Sequence, residues 1–458
     1  MSRTSDIGLS RKQKMFVTLE SVLGTLTFPN ATTDFVRPAG NAIMNQRPVF
    51  ADSEELADTL DILDQFQNAT PAGDFTIKMY VRPSGTAATG SPPQGDVLFR
   101  SLQGSKAAAT AATLSAATLS TTATSVVLVG ANIDDFPHVG VILVGSEKIG
   151  YLAKSTTGAT ATLSNLTRAY NGTSAASHAT SSAVSLDCIF YKQMTTSESF
   201  SVWIETDHFV QAMAGCSVNT ATVEITNEGG LLFTFVGQGM TMKWAGTGTV
   251  AAHAATAATT VTVSDARLFC PQMKVYNVTK ASTPTVIIGS NATTNVLRLT
   301  DAVGASWVTG DVIKGYLPTG TVIGDPIEAK DSVAYLNNVQ TKIKRCTLNI
   351  GTPKQYLTDE IGTTFPEDYL ENVRDINTTL SLYFRKQQAK YFKDGYDGNE
   401  IPITVVFGDT GGAKMGLYMK RCKAQVPEIN FTPPAVNLDI PAKALGTVGE
   451  DSLEIVMM

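Results

Sequence analysis

Alternating apolar and polar residues predict a hairpin of two β-strands near the middle of the chain. Ala221, Val223 and Ile225 occupy one face of the first strand, and the following segment alternates in the same way. Asn227-Glu228-Gly229-Gly230 supplies the turn. The first face is apolar and the second is rich in Thr and Glu, which predicts a sheet with one buried side and one wet side.

The same period-two pattern predicts strands along most of the chain. Phe75–Val81 alternates without interruption and is ended by Pro83-Ser84-Gly85. Further strands are predicted over Ser199–Glu205, Gln238–Trp244, Lys342–Ile350, Asp375–Tyr383, Ile401–Phe407, Met415–Lys420 and Val436–Ile440. Two short helices are predicted, one after Pro92-Pro93 that ends at Gly104 and one over Phe384–Phe392 with Gly395 as its stop.

Two stretches of the chain are similar to each other and predict two copies of one small β-module. Val126 corresponds to Val261 at an offset of 135 residues, and Ile133 to Leu268 at the same offset (261 − 126 and 268 − 133). Ala- and Thr-rich segments, 107–124 and 247–260, lead into the two copies. Repeated inserts are typical of a framework whose surface loops accept extra modules.

These patterns predict a mainly β protein: an antiparallel β-sandwich or partial barrel with one or two short helices and two small inserted β-domains. The framework is assigned to residues 1–107, 188–246 and 317–458, and the inserts to 108–187 and 247–316. The inserts are interpreted as surface modules that add bulk and subunit contacts, since neither has the aromatic cluster of a sugar-binding platform. Glycan or filament binding by them is the alternative.

Composition and motifs argue against several classes of function. The net charge is −6, and no cluster of Lys and Arg of the kind that binds nucleic acid occurs. The five cysteines lack metal-ligand spacing and are expected to be buried free thiols. The four histidines are far apart and are expected at the surface or in turns. No nucleophile, phosphate-loop or paired-acid motif appears, so the chain is predicted not to be an enzyme and to use no cofactor or metal. No signal peptide or membrane span is predicted.

Outside the inserts, several segments follow one another in a characteristic order. They are Lys14–Glu20 with Gly24-Thr25, Gly73–Pro83, Pro92-Pro93 with Leu98–Gly104, Ala214–Asn219 with the hairpin and Gly237-Gln238-Gly239, and Ala444–Thr447 with Glu450-Asp451. In these segments and their order, the chain without its inserts resembles phage tail tube (major tail) proteins. The long inserts depart from a minimal tube protein and resemble the outward-facing domains carried by some long, flexible, non-contractile tails.

The resemblance implies stacked, hexameric rings around a DNA conduit in the tail of a virion, made in the host cytoplasm. The implied partners are further copies of the chain, the tape-measure, tail-terminator and distal tail proteins, and viral DNA that passes without specific binding; the inserts could add a host surface. Ring closure would also remove the exposed edges of a half-wet sheet. We predict that seven polar residues line the lumen and that the two glutamates make it acidic: Thr220, Thr222, Glu224, Thr226, Glu228, Thr234 and Gln238. The alternative function is that of a surface or adhesin protein of the virion.

Overall fold

A computed structural model describes residues 12–55, 61–84, 92–104, 111–115, 118–226, 228–431, 435–447 and 449–458. The segment before the first insert contains β1 (Lys14–Leu19), β2 (Phe35–Val36), β3 (Ile43–Asn45), β4 (Phe50–Asp52), β5 (Gln65–Gln67), β6 (Gly73–Tyr80) and helix α1 (Asp96–Gln103). Most of the predicted N-terminal arm, 1–14, lies outside the described residues.

The first insert contains β7 (Ala111–Leu114), β8 (Ser125–Val129), β9 (Gly140–Val144), β10 (Glu147–Tyr151), β11 (Ala153–Thr157), β12 (Thr160–Ser164) and β13 (Ala183–Leu186). The framework continues with β14 (Ile189–Tyr191), β15 (Phe200–Thr206), β16 (Phe209–Ile225), β17 (Leu232–Gly239) and β18 (Thr241–Ala245). The second insert contains β19 (Thr247–Thr249), β20 (Thr260–Thr262), β21 (Lys274–Asn277), β22 (Thr285–Asn291), β23 (Val296–Leu299) and β24 (Val312–Gly315).

The last part of the framework has eleven strands in its described residues and one helix. They are β25 (Val333–Leu336), β26 (Val339–Thr341), β27 (Arg345–Gly351), β28 (Lys354–Tyr356), β29 (Tyr369–Glu371), β30 (Asp375–Tyr383), α2 (Lys390–Asp397), β31 (Glu400–Phe407), β32 (Met415–Ala424), β33 (Glu428–Asn430), β34 (Asn437–Leu445) and β35 (Glu454–Met457). The predicted mainly β fold with antiparallel sheets and two short helices is confirmed.

The long strand β16 joins the two halves of the framework. Its first part pairs with β15 and β18, and its second part pairs with β17 and β27. Beyond these partners, the antiparallel order β3-β6-β17-β16-β27-β30-β34 forms one continuous run of strands. The predicted hairpin is therefore the centre of a wide sheet rather than an isolated ribbon.

One side of this sheet is covered by the hydrophobic core of the framework. The apolar side chains of β16 and β17 are almost fully buried, as the alternation predicts. Helix α1 lies on this side, where the ring of Phe99 packs against Phe233 and Phe235 with centroids 5.6 and 5.5 Å away. Burying large aromatic side chains in this way contributes much of the hydrophobic stabilisation of a fold.

The two inserts share one pattern of strand pairing. In the first, β13 pairs with β7 and β9, β9 with β10, and β12 with β8. In the second, β24 pairs with β19 and β21, β21 with β22, and β23 with β20. The structure thus supports two copies of one module, although it changes the alignment. Ile133 and Ala266 each open a 3-10 helix, so Ile133 corresponds to Ala266 and not to Leu268.

Each insert shares its hydrophobic core with the framework. The core of the first insert includes the framework residues Val456 and Met458. The core of the second includes Phe16, Trp203 and Val210 from β1, β15 and β16. The inserts are therefore packed onto the framework and not attached through their linkers alone.

The prediction of the second helix was wrong in its position. A 3-10 turn occupies Lys386–Ala389, and α2 follows and ends before Gly398, whose positive φ of 67° caps it. Gly395 lies inside the helix, where a Cβ atom would come within 2.6 Å of the carbonyl oxygen of Gln425. Close packing against that backbone, not helix termination, explains this glycine.

Candidate functional site

The polar side of the wide sheet is the candidate site, and its backbone register aligns hydroxyl and amide side chains in rows. Thr222 pairs with Thr234 of β17 on one side and with Asn349 of β27 on the other. The same row continues to Lys78 of β6 and to Asn377 of β30. We call the outward side chains of β6, β17, β16, β27, β30 and β34, with the turn residues Thr226 and Glu228, the polar face.

All seven residues predicted to line a lumen belong to this face. Four are exposed in the single chain and three are partly buried: Thr222, Glu224, Thr226 and Glu228, and then Thr220, Thr234 and Gln238. The alternate residues of the same strands point into the core, so the predicted alternation is confirmed. Their position around a lumen stays a prediction.

An irregularity in β16 aligns Gln238 with its neighbours. The register shifts between Val218 and Thr220, which leaves Asn219 unpaired in the ladder. The Asn219 Nδ2 atom donates a hydrogen bond to Gln238 Oε1 at 3.4 Å, and Gln238 Nε2 donates to Asp74 Oδ1 at 3.1 Å. This chain of amide and carboxylate groups extends the polar face across three strands.

Most of the polar face lies outside the hairpin and was not predicted from the sequence. The additional members lie on β6, β27, β30 and β34: Asp74, Thr76, Lys78, Tyr80, Arg345, Thr347, Asn349, Asn377, Thr379, Ser381, Asp439 and Lys443. The alternation of Cys346, Leu348 and Ile350 with polar residues carries the same signal as the hairpin. What the sequence could not supply is the order of strands that joins these segments.

Four charged side chains of the polar face form two ion pairs. Arg345 Nη1 lies 3.4 Å from Glu224 Oε1, and Lys443 Nζ lies 2.6 Å from Asp375 Oδ1. Ser381 Oγ donates a hydrogen bond to Asp439 Oδ1. Glu224 therefore has a cation beside it on the polar face, and its part in an acidic lining stays a prediction. Glu228, Asp74 and Asp439 remain as carboxylates, and Lys78 as a cation, without an ion-pair partner in the described residues.

A second polar feature is a cleft of about 610 Å³ between the first insert and the framework. The ring of His138 stacks on Tyr418 with centroids 3.7 Å apart, and the His138 backbone N–H donates to Glu454 Oε2 at 2.7 Å. Burial lowers the pKa of His138 to about 4 and raises the pKa of Glu454 to about 6. His138, expected at the surface, is instead a packed residue of this junction.

The cysteines and possible metal ligands form no reactive centre in the described part of the chain. All five cysteines are free; four are buried, and Cys270 is partly exposed. Burial raises the pKa of Cys188 to about 12, which keeps its thiol protonated. No group of three or more His, Cys, Asp or Glu side chains in the described ranges is arranged to hold a metal ion.

In the same ranges, neither helix has the length and apolar character needed to cross a membrane. A comparison with protein-family models and with curated proteins finds no match for this chain.

Proposed function

We propose that this protein is a structural subunit of a phage tail tube, which assembles into stacked, hexameric rings and forms a conduit for DNA. The single observation that carries the proposal is the polar face: one side of six neighbouring strands is packed into a core, and the other presents mostly polar side chains, with Leu232 and Val236 of β17 as its apolar members. Such a surface suits the wall of a water-filled channel.

The ends of the sheet supply surfaces for closing a ring. At one end, β3 is a three-residue strand whose named partner in the described residues is β6, and its Ile43 side chain is exposed. On the far side of β34, residues 442–445 pair with β32 and residues 437–439 pair with β33, a short exposed strand with no other named partner in the described residues. Exposed strand edges favour pairing with another copy of the chain, and a closed ring satisfies them.

The compensated charges explain how the conduit could let DNA pass. DNA affinity grows with the number of phosphates that Lys and Arg neutralise. On the polar face, Arg345 and Lys443 are each bound to a carboxylate, whereas three carboxylates (Asp74, Glu228 and Asp439) and one cation (Lys78) have no ion-pair partner in the described residues. The lining would be weakly acidic and rich in hydroxyls, and would offer phosphates few binding sites.

An exposed ribbon of two strands supports assembly as well. Strands β4 and β5 pair only with each other in the described residues, and Phe50 and Phe66 on them are more than half exposed. An isolated two-stranded ribbon is at best marginally stable in water. We assign the β4–β5 ribbon to contacts between copies of the chain, where the side chains of Phe50 and Phe66 would be buried.

Electron microscopy of the purified full chain tests the proposal. We expect regularly striated tubes, with the polar face around the channel in a cryo-EM map. A protein that stays a single globule at all concentrations and salt conditions, or a map with this face turned outward, would overturn it.

A pair of variants in the virion tests the conduit role. Thr222→Lys with Thr234→Lys adds two cations beside Lys78, so tubes should still form but DNA release should slow. The matched control, Ser155→Lys with Thr157→Lys, makes the same change on the exposed strand β11 of the first insert and should release DNA at the normal rate. Equal rates for both variants would contradict a lumen position.

A further inference from the structure

We propose that the tip of the β28–β29 hairpin of one copy docks into a basic groove at the far end of strand β30 in the next copy. The contact rests on the proposed function and names the surfaces by which one ring would stack on another. We call residues 357–368, between β28 and β29, the acidic tongue, and the groove lined by Lys342, Lys344, Tyr383 and Arg385 the basic groove.

The acidic tongue combines charge with an exposed apolar tip. Asp359, Glu360, Glu367 and Asp368 are exposed and have no ion-pair partner in the described residues. Ile361 at the turn is fully exposed, at 104% of its reference area. Thr363 N–H donates to the carbonyl of Glu360 at 3.4 Å, and the turn presents Ile361 between the two pairs of acids. A loop whose aliphatic tip is fully exposed is expected to bind another protein surface.

The basic groove has the complementary character. It encloses about 570 Å³, and its described lining contains five cationic side chains and no carboxylate: Lys330, Lys342, Lys344, Arg345 and Arg385. Lys330 and Arg345 are paired with Glu328 and Glu224 outside the lining. The other three have no carboxylate partner in the described part of the chain, and Lys344 lies 5.4 Å from the centre of the Tyr383 ring. Ile343 and Val333 give the groove apolar walls that suit an aliphatic tip.

The strands place the two surfaces at opposite ends of the sheet. The tongue begins and ends where Gly351 of β27 pairs with Asp375 of β30. The groove lies at the other end, where Arg345 pairs with Ser381 and Tyr383 ends the strand. Nine residues of extended chain separate them, roughly 30 Å. A tongue therefore cannot reach the groove of its own chain.

A surface and its complement at opposite ends of one subunit give a head-to-tail contact. Such contacts do not close on themselves by two-fold symmetry and repeat along one direction. Opposite charges would steer the docking and set its register, while the apolar tip excludes water at the centre. Strands β27 and β30 of each copy would then run along the axis on which successive rings stack.

A charge-swap experiment tests the contact between copies of the full chain. Reversing all four acids of the tongue (Asp359→Lys, Glu360→Lys, Glu367→Lys and Asp368→Lys) makes tongue and groove both basic, and reversing the three unpaired cations of the groove (Lys342→Glu, Lys344→Glu and Arg385→Glu) makes both acidic. Each variant alone should self-associate about tenfold less than the wild type, because like charges meet. An equimolar mixture should recover association, since each tongue then meets a groove of opposite sign. Sedimentation velocity at about 0.05 M and about 0.5 M salt measures both effects, and the higher salt should weaken the mixed complexes.

The control is Lys280→Glu with Arg298→Glu, two exposed cations of the second insert, which should associate as the wild type does. Circular dichroism checks that every variant keeps its β-signal. Wild-type association by either variant alone, or a mixture of folded variants that does not recover, would overturn the docking contact. Tubes seen by microscopy together with that result would leave the proposed function standing, whereas salt-sensitive recovery without any tubes would support the contact and refute the tube.

Discussion

The carboxylate of Glu20 accepts the backbone N–H of Gly215 at 2.8 Å, across 195 positions of sequence. The same carboxylate accepts the hydroxyl of Ser201 at 2.7 Å and the N–H of Gly24 at 3.0 Å. Gly215 is the point where β16 passes from one set of partner strands to the other. Glu20 therefore fixes the bend after which the C-terminal part of β16 enters the polar face. This contact explains the structural role of the segment from Glu20 to Gly24-Thr25.

Gly215→Ala should destabilise the fold by about 2–4 kcal/mol, because two costs add. Gly215 has a φ of +65°, and a Cβ atom there would lie 2.6 Å from Met240 Cγ. Gly229→Ala is the matched control: its φ is +80°, but no atom lies within 4 Å of the added carbon, so we expect about 1 kcal/mol. Denaturant unfolding followed by tryptophan fluorescence measures both, and equal midpoints would contradict the role of close packing.

Arg168→Gln should lower the free energy of unfolding of the first insert by about 3–5 kcal/mol, because it leaves the buried charge of Glu147 without its cation. Arg168 donates to both oxygens of Glu147, at 2.8 and 2.7 Å, and Glu147 is fully buried. Burial opposes ionisation of Glu147, but the hydrogen bonds from Arg168, from the Ala176 backbone and from His178 outweigh it and lower its pKa to about 2. The stabilisation that the ionised Glu147 contributes to the fold is present above about pH 4.5 and is lost as the pH falls towards 2, where this carboxylate becomes protonated.

Hydrogen exchange in β9 and β10 reports on this change. The control is Arg267→Gln in the second insert, whose partner Asp265 forms an exposed ion pair, so this substitution should leave exchange almost unchanged. Exchange that is unchanged in Arg168→Gln would refute a structural role for the buried pair.

Glu454→Gln should stabilise the protein at pH 8 but not at pH 5. Burial raises the pKa of Glu454 to about 6, so the folded protein holds an unfavourable charge above that pH. A raised carboxyl pKa favours folding as the pH falls through 6, and the penalty at pH 8 is about 2 kcal/mol. Thermal unfolding at pH 5 and at pH 8 measures the difference in stability between the variant and the wild type. Glu450→Gln, on the exposed rim of the same cleft, should behave as the wild type at both; equal shifts for the two variants would contradict the effect of burial.

Period-two alternation was sufficient to predict the β class and the buried and exposed residues of the hairpin, since burial of one sheet face fixes which residues alternate inward. It could not predict that β6 and β27 flank this hairpin, because 120 or more residues separate the paired positions. The Arg345–Glu224 ion pair depends on the pairing of β16 with β27, so the sequence of the hairpin alone could not predict it. Phe384 and Phe392 have the apolar spacing of one helix, yet the residues between them begin with a 3-10 turn. Helix boundaries depend on backbone contacts such as the one at Gly395, which composition does not encode.

Because Phe16, Trp203 and Val210 belong both to the framework strands and to the core of the second insert, that insert cannot be excised like a tag. A truncated chain that joins residue 246 to residue 317 would leave two large aromatic side chains and their neighbours facing water. Any shortened form of this protein, natural or engineered, would need polar replacements at those framework positions to stay soluble.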